Sequence, residues 1–137
     1  SFKIINLYKK NFSKKDKVLI LGASFKGLPE TIDIRNSPSI ALSKELVKNK
    51  IKNHIFDIKG KEISKNNRHI NNFKFDQNLI KKYNFIILSN NNPIYSDLII
   101  EQISKNLNRN QKKIIFDCWN LIDSDVCQSS GYHYYTI

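Results

Sequence analysis

The residues best suited to chemistry lie in one loop that follows a strand-like run and opens with Gly22. Lys26 stands four residues after this glycine, and Arg35 stands just before Ser37 and Pro38, a pair typical of a helix start. The free N–H groups and the positive dipole end of that helix would add to the two cations. This combination suits a phosphorylated ligand. The loop matches neither GxGxxG nor GxxxxGK[ST], so a nucleotide cradle of the NAD or ATP type is disfavoured here.

Each of these side chains also has a purely structural interpretation. Lys26 is one of 20 lysines, and most surface lysines are simply solvated. Arg35 can form a salt bridge with Glu30 or Asp33 that holds the loop together. From the residues alone, this structural interpretation and a role in ligand binding are equally favoured. Phe25 can equally cap the end of the sheet as a core residue.

A metal site and a catalytic cysteine are not expected. The histidines lie in strand-like segments without carboxylates at ligand spacing: His54, His69 and His133. A divalent cation at the acidic patch near a later strand end is the less favoured interpretation of Asp117, Asp123 and Asp125. Cys118 and Cys127 form no CxxC clamp, so we expect reduced thiols and a cytoplasmic protein.

Five apolar segments predict strands, and three amphipathic segments between them predict helices. Glycine ends the first strand segment, and Asp57 ends the second. For Asp57, a role as a strand-end cap is favoured over binding of a ribose. The strand segments are 17–22, 53–58, 84–89, 113–117 and 132–137, and the helical segments are 2–11, 38–50 and 95–108. Residues 59–83 are less clear, with a short strand near 69–75 and a helical turn at 76–83.

Strands that alternate with helical segments predict an α/β protein with a Rossmann-like, doubly wound, mostly parallel sheet in a three-layer sandwich. In such a fold the ligand crevice lies beyond the carboxyl ends of the strands. This rule selects four loops, at residues 22–37, 57–60, 89–96 and 117–124.

Length and composition limit the number of domains and argue against a membrane span. A chain of 137 residues with 40% hydrophobic residues suffices for one domain with its own core. The longest apolar runs, such as 85–88 and 98–100, are far shorter than the ~20 residues that span a bilayer, so we expect no membrane partner.

The net charge of +11 raises the alternative of a small basic nucleic-acid-binding α/β module. Only three of the 23 basic residues are arginines, although arginine is favoured for phosphate and base recognition. Lys, Asn and Ile fill 60 positions, which an AT-biased coding sequence explains without any polyanion, so a nucleic-acid partner is disfavoured. Residues 1–68 carry 16 basic and 6 acidic side chains, whereas residues 69–137 carry 7 and 6, so an anionic partner would contact the first half.

The run KVLILGASFKGLPETIDIRNSPS at residues 17–39 resembles the start of the C-terminal, UDP-binding domain of the UDP-glucose/GDP-mannose dehydrogenase family. That family follows a hydrophobic strand with G-x-[AS]-F-K, an acidic loop and R-x-S-P. Further similarity lies at 56–57, 85–93, 114–120 and 131–137. The resemblance covers residues 17–137 and leaves 1–16 as the end of an upstream linker helix. The turn at 90–93 looks more like the branch that acts on UDP-N-acetyl-amino sugars.

The resemblance implies the last of about three domain lengths in an NAD-dependent nucleotide-sugar 6-dehydrogenase. Such enzymes convert a UDP-hexose to a UDP-hexuronate, a polysaccharide precursor, through a covalent cysteine intermediate. NAD and the cysteine motif would belong to preceding domains, so this chain alone should have no activity and bind no cofactor. The implied partners are a UDP-sugar, the upstream domains of the same polypeptide and, in the parent enzyme, further copies of itself.

The resemblance also assigns the substrate-binding residues Phe25, Lys26, Arg35 and Trp119. Phe25 and Lys26 fall on the F-K pair that lines the nucleotide-sugar cleft, and Arg35 falls on the arginine before S-P. Two features depart from the family pattern. The intervening loop is two residues longer than its commonest form, and Trp119 stands where many members have arginine, which leaves base stacking or simple packing open.

Overall fold

The computed structural model describes residues 1–24, 29–65, 78–105 and 111–137. Its centre is a five-stranded sheet in which every neighbouring pair of strands is parallel, in the order β2-β1-β3-β4-β5. The strands are β1 Val18–Leu21, β2 Asn53–Phe56, β3 Phe85–Leu88, β4 Lys113–Asp117 and β5 Tyr132–Thr136. The predicted α/β class and the mostly parallel sheet are confirmed.

The central strands are buried on both faces, as their continuous apolar sequences require. Every residue of β1 (VLIL) and of β3 (FIIL) is buried. Parallel strands show this pattern because helices cover the sheet on both sides. The chain order reverses between β1 and β3, which places the switch point, and thus the expected crevice, at their carboxyl ends.

Within residues 1–24, 29–65, 78–105 and 111–137, five helices form the two outer layers. They are α1 Phe2–Asn11, α2 Pro38–Lys48, α3 Gly60–Ser64, α4 Pro93–Ser104 and α5 Ser124–Ser129, and a single 3-10 turn spans Ile80–Lys82. Helices α1, α2 and α3 contribute to one apolar core, whereas α4 and α5 contribute to the other. Among the described residues, no helix is long and apolar enough to cross a bilayer.

The element boundaries differ from the predictions where polar side chains end or begin an element. Helix α4 begins at Pro93, two residues earlier than predicted, because Asn92 Oδ1 accepts a hydrogen bond from the N–H of Ile94. Strand β2 ends at Phe56, since Asp57 already turns towards β1. The short helices α3 and α5 were not predicted. The strand predicted near 69–75 lies outside the described residues.

Helix α1 is an integral part of one core. Ile4, Ile5 and Tyr8 are buried against β1, β3 and β4. The Tyr8 hydroxyl lies 2.5 Å from the carbonyl oxygen of Ser13 and 2.6 Å from that of Asp16, which fixes the connection to β1. The helix therefore packs as an element of the α/β domain, whatever lies before it in the chain.

We expect Ile5→Ala to lower the free energy of unfolding by about 2–4 kcal/mol, because Ile5 is only 8% exposed and its truncation leaves a cavity. Urea denaturation of the 137-residue chain measures this. The matched control is Phe2→Ala in the same helix, where the side chain is 77% exposed and the change should stay within about 0.5 kcal/mol. Equal losses for the two variants would mean that α1 does not pack as described.

Candidate functional site

The carboxyl edge of the sheet brings together the loops after β1, β2, β3 and β4, as predicted. A buried carboxylate organises the first two of them. Asp57 is 3% exposed, and its Oδ2 accepts hydrogen bonds from the N–H groups of Ala23 at 2.7 Å and Ser24 at 3.1 Å. Its Oδ1 accepts from the N–H of Lys59 at 2.8 Å. The favoured interpretation of Asp57 as a strand-end cap is confirmed.

A buried amide from the third loop supports the same backbone. Asn90 is 1% exposed, and its Nδ2 donates to the carbonyl and the hydroxyl oxygens of Ser24, both at 3.3 Å. A Cβ at Gly22, whose φ is 95°, would lie 2.0 Å from the Cβ of Asn90. Gly22 is thus required for the close approach of Asn90. Sequence analysis used the asparagine run only as a sign of the family branch, although asparagine before proline also signals a helix start.

The start of α2 is fixed to the loop after β1 by two serines. Ser37 Oγ accepts from the N–H of Ile40 at 3.3 Å and lies 2.6 Å from the carbonyl oxygen of Ala23. Ser39 Oγ lies 2.5 Å from the carbonyl oxygen of Gly22. The predicted Ser-Pro helix start is confirmed, and the helix N-terminus lies at the carboxyl edge.

Arg35 has an ionic partner within its own loop. Its Nε donates to Asp33 Oδ1 at 3.0 Å and its Nη2 donates to Asp33 Oδ2 at 2.8 Å. The Arg35 side chain is 86% exposed. These hydrogen bonds lower the pKa of the Asp33 carboxyl to about 2 and raise the pKa of Arg35. The salt-bridge interpretation of Arg35 is therefore realised, with Asp33 rather than Glu30. Phe25 and Lys26 lie outside the described residues.

Glu30 joins the loops on both sides of β1. Its Oε2 lies 3.6 Å from Lys59 Nζ, and its Oε1 accepts from Asn92 Nδ2 at 3.1 Å. Since β1 lies between β2 and β3, residue 30 spans the end of β1 at the switch point. Sequence analysis missed Lys59 as a cation at this edge, because no motif distinguishes it from the other lysines.

A second buried carboxylate organises the loop after β4. Asp117 is fully buried, and its oxygens accept from the N–H groups of Trp119, Leu121 and Ile122 at 2.7–3.0 Å. It also accepts from the Tyr134 hydroxyl at 2.9 Å, and burial, this bond and the carboxylate charge raise the pKa of that tyrosine.

No group of three or more potential metal ligands occurs within the described ranges.

Trp119 is 46% exposed on this loop, as a ligand-contacting ring would have to be. A cleft of about 490 Å³ opens beside the same loop, near the start of α1, and is lined by side chains that include Ser89, Phe116 and Cys118. Burial, with the nearby Asp117 carboxylate, raises the pKa of the Cys118 thiol to about 11. The thiol is therefore protonated near neutral pH and is a poor nucleophile.

An all-parallel sheet in this strand order defines a doubly wound α/β domain, a class of fold whose ligands bind at the carboxyl edge of the sheet. The sequence model of the UDP binding domain of the UDP-glucose/GDP-mannose dehydrogenase family matches residues 19–124. The chain belongs to this family, as the resemblance in the sequence indicated. No curated protein sequence matches it.

Two solved structures share the fold. One is the UDP-D-ManNAc dehydrogenase of Pyrococcus horikoshii, with a TM-score of 0.65, 22% identity and 99% of this chain covered. The other is a ternary complex of GDP-mannose dehydrogenase from Pseudomonas aeruginosa, with a TM-score of 0.62, 18% identity and 97% covered. The chain spans only 28% and 30% of the lengths of these two proteins.

We expect Asp57→Asn to lower the free energy of unfolding by roughly 2–4 kcal/mol. An asparagine side chain has one acceptor oxygen, so its NH₂ group must face an N–H donor of Ala23, Ser24 or Lys59. Urea denaturation checks this. The control Asp125→Asn alters an exposed carboxylate and should cost less than about 1 kcal/mol. Similar losses in both variants would contradict the capping role.

The Arg35–Asp33 pair is tested by an NMR pH titration of the Asp33 carboxyl. We expect a midpoint at about pH 2, because the guanidinium stabilises the ionised form; the pair persists down to that pH and is lost below it. In Arg35→Gln the midpoint should rise towards the usual value of 3.8. The control Lys44→Gln removes a distant charge and should leave it unchanged. A midpoint near 3.8 in the parent chain would show that the pair does not form.

Proposed function

We propose that this chain is the UDP-sugar-binding domain of an NAD-dependent nucleotide-sugar 6-dehydrogenase. The observation that carries the proposal is the match of residues 19–124 to the family's UDP binding domain. The geometry of the carboxyl edge supports it, because Asp57 and Asn90 hold the backbone of Ala23 and Ser24 in place at the switch point. Preorganised backbone of this kind reduces the entropy lost on ligand binding.

In this proposal the diphosphate of the nucleotide sugar binds between the loop at 22–37 and the start of α2. Lys26 and Arg35 supply the positive charge, whereas Phe25 and Trp119 supply ring surface. Asp33 takes the Nε–H and one Nη2–H of Arg35, so a phosphate would bind the remaining N–H donors of the guanidinium, beside the Asp33 charge. The longer loop and Trp119, the two features that depart from the family pattern, both belong to this proposed binding surface.

NAD does not fit the described part of this chain. The loop after β1 lacks the glycine spacing that admits a pyrophosphate, and Gly22 packs closely against Asn90. When bound elsewhere in the enzyme, NAD would accept the hydrides in oxidation of a primary alcohol to a carboxylate. The thiols of Cys118 and Cys127 have pKa values raised to about 11, mainly by burial, so neither suits covalent catalysis. The chain's own part is substrate binding, with no activity alone.

The organisation of the whole protein follows from the same proposal. Residues 17–137 form the nucleotide-sugar domain, and residues 1–16 form the end of a helix that links it to upstream domains. NAD and the catalytic cysteine belong to those domains. We also propose that the parent enzyme is a homo-oligomer and is cytoplasmic, the compartment in which thiols such as Cys118 and Cys127 stay reduced. The nucleic-acid-binding alternative is not favoured, because family and fold both indicate a dehydrogenase.

An NMR titration of the folded 137-residue chain with UDP tests the proposal. We expect millimolar affinity, because a single domain encloses only part of the ligand. Backbone signals of residues 22–24, 29–37 and 117–121 should shift. Uridine, which lacks the phosphates, should bind at least about fivefold more weakly if cations hold the diphosphate.

Two single variants separate site binding from general charge attraction. Lys26→Ala should weaken UDP binding at least about fivefold, whereas Lys44→Ala on the exposed face of α2 should leave it within about twofold. Shifts confined to other residues, or equal effects of both variants, would refute the proposed site.

A further inference from the structure

The lysines of this chain are concentrated at one edge of the sheet. The segments that lead into β1, β2, β3 and β4 enter at the amino edge, opposite the loops described above. We call their exposed lysines the basic edge: Lys9, Lys10, Lys14, Lys15, Lys17, Lys48, Lys50, Lys52, Lys81, Lys82, Lys105 and Lys112. Within the described part of the chain, two of them have a carboxylate within 4.0 Å: Lys48 pairs with Glu45, and Lys105 pairs with Glu101.

The register of the sheet brings some of these charges side by side. Val18 is paired with Asn53, so Lys17 and Lys52 precede paired residues on neighbouring strands about 4.8 Å apart. Like charges at such a separation repel each other. In the segments 9–17, 48–52, 81–84 and 111–113, Asp16 is the one acidic residue.

The opposite edge has the reverse balance. Its described residues carry four basic side chains, Lys3, Arg35, Lys59 and Lys61, against seven carboxylates: Glu30, Asp33, Asp57, Glu62, Asp117, Asp123 and Asp125. An AT-biased coding sequence explains the number of lysines but not their separation from the acidic residues. Favourable interaction with helix C-termini explains Lys9, Lys10 and Lys48. It does not explain the lysines of the loops and strand starts, such as Lys14, Lys15, Lys17, Lys52 and Lys112.

We propose that the basic edge is a docking surface for an anionic lipid bilayer. Flexible lysine ammonium groups are attracted to the negative surface of an anionic bilayer, and such contacts need neither a cleft nor a fixed hydrogen-bond geometry. Lys14, Lys15, Lys17 and Lys52 accordingly line none of three well-formed clefts of the described surface. The contact is peripheral, so it requires no spanning helix, and it revises the expectation of no membrane partner.

A nucleic acid fits this edge less well than a bilayer. Arginine, which binds phosphate with two parallel hydrogen bonds, is missing from the described residues of the edge, since Arg35 lies at the opposite one. Of the exposed large aromatic side chains of the described chain, Trp119 lies after β4 at the opposite edge, and Phe2 lines a shallow cleft with Lys10, so one ring at most could stack on a base here. Docking through the basic edge would leave the carboxyl edge facing away from the membrane and open to a ligand.

The test is co-sedimentation of the 137-residue chain with vesicles. We expect binding to phosphatidylcholine vesicles with about one-third phosphatidylglycerol, no binding to pure phosphatidylcholine, and release as salt rises to about 0.5 M. The triple variant K14E/K15E/K17E should lower the partition coefficient at least tenfold. The control K44E/K61E/K65E makes the same charge change at exposed lysines outside the basic edge and should lower it by no more than about twofold.

Three results would overturn the proposal. The first is an equal loss in both triple variants, which would reduce binding to net charge alone. The second is equal binding to charged and uncharged vesicles. The third is displacement from the vesicles by duplex DNA at equal phosphate concentration, which would identify a nucleic acid as the better partner. The milder variant K14Q/K15Q/K17Q, with thermal unfolding of every variant followed by circular dichroism, separates loss of binding from loss of folding.

Discussion

The carboxyl edge depends on hydrogen bonding from buried carboxylates to main-chain N–H groups. Loops that leave a parallel sheet must satisfy their backbone donors without help from neighbouring strands. Asp57 does this for the loop after β1, and Asp117 does it for the loop after β4. Both carboxylates are almost completely removed from water, so each bond is charge-assisted in a low dielectric. The backbone of Ala23 and Ser24 and that of residues 119–122 are therefore held by the protein itself.

At the carboxyl edge, buried side chains hold the backbone, whereas the cation Arg35 is exposed. Asp57, Asn90 and Ser39 are buried and hold backbone, whereas Arg35 is exposed and shares its guanidinium with Asp33. An anion arriving at this edge would meet a cation that is already paired with a carboxylate. Because exposed ion pairs contribute little individually, Arg35 by itself would add little to the affinity.

The chain spans less than one third of either similar structure, so only one part of each is compared with it. Burial raises the pKa of both cysteine thiols, Cys118 and Cys127, which disfavours a nucleophilic role for either. In the proposed function, the reacting carbon of the substrate would be presented to groups outside this domain.

The sequence by itself determined the α/β class, the five strands, the family and the Ser-Pro start of helix α2. These follow from local patterns, because an apolar run or a Ser-Pro pair acts through its neighbours in the chain. Only the tertiary structure decided that Arg35 pairs with Asp33, that Glu30 joins Lys59 to Asn92, and that Asn90 requires the glycine at position 22. Such choices depend on which loops the strand order places side by side, and 20 lysines or 18 asparagines offer too many equivalent partners for spacing to select among them.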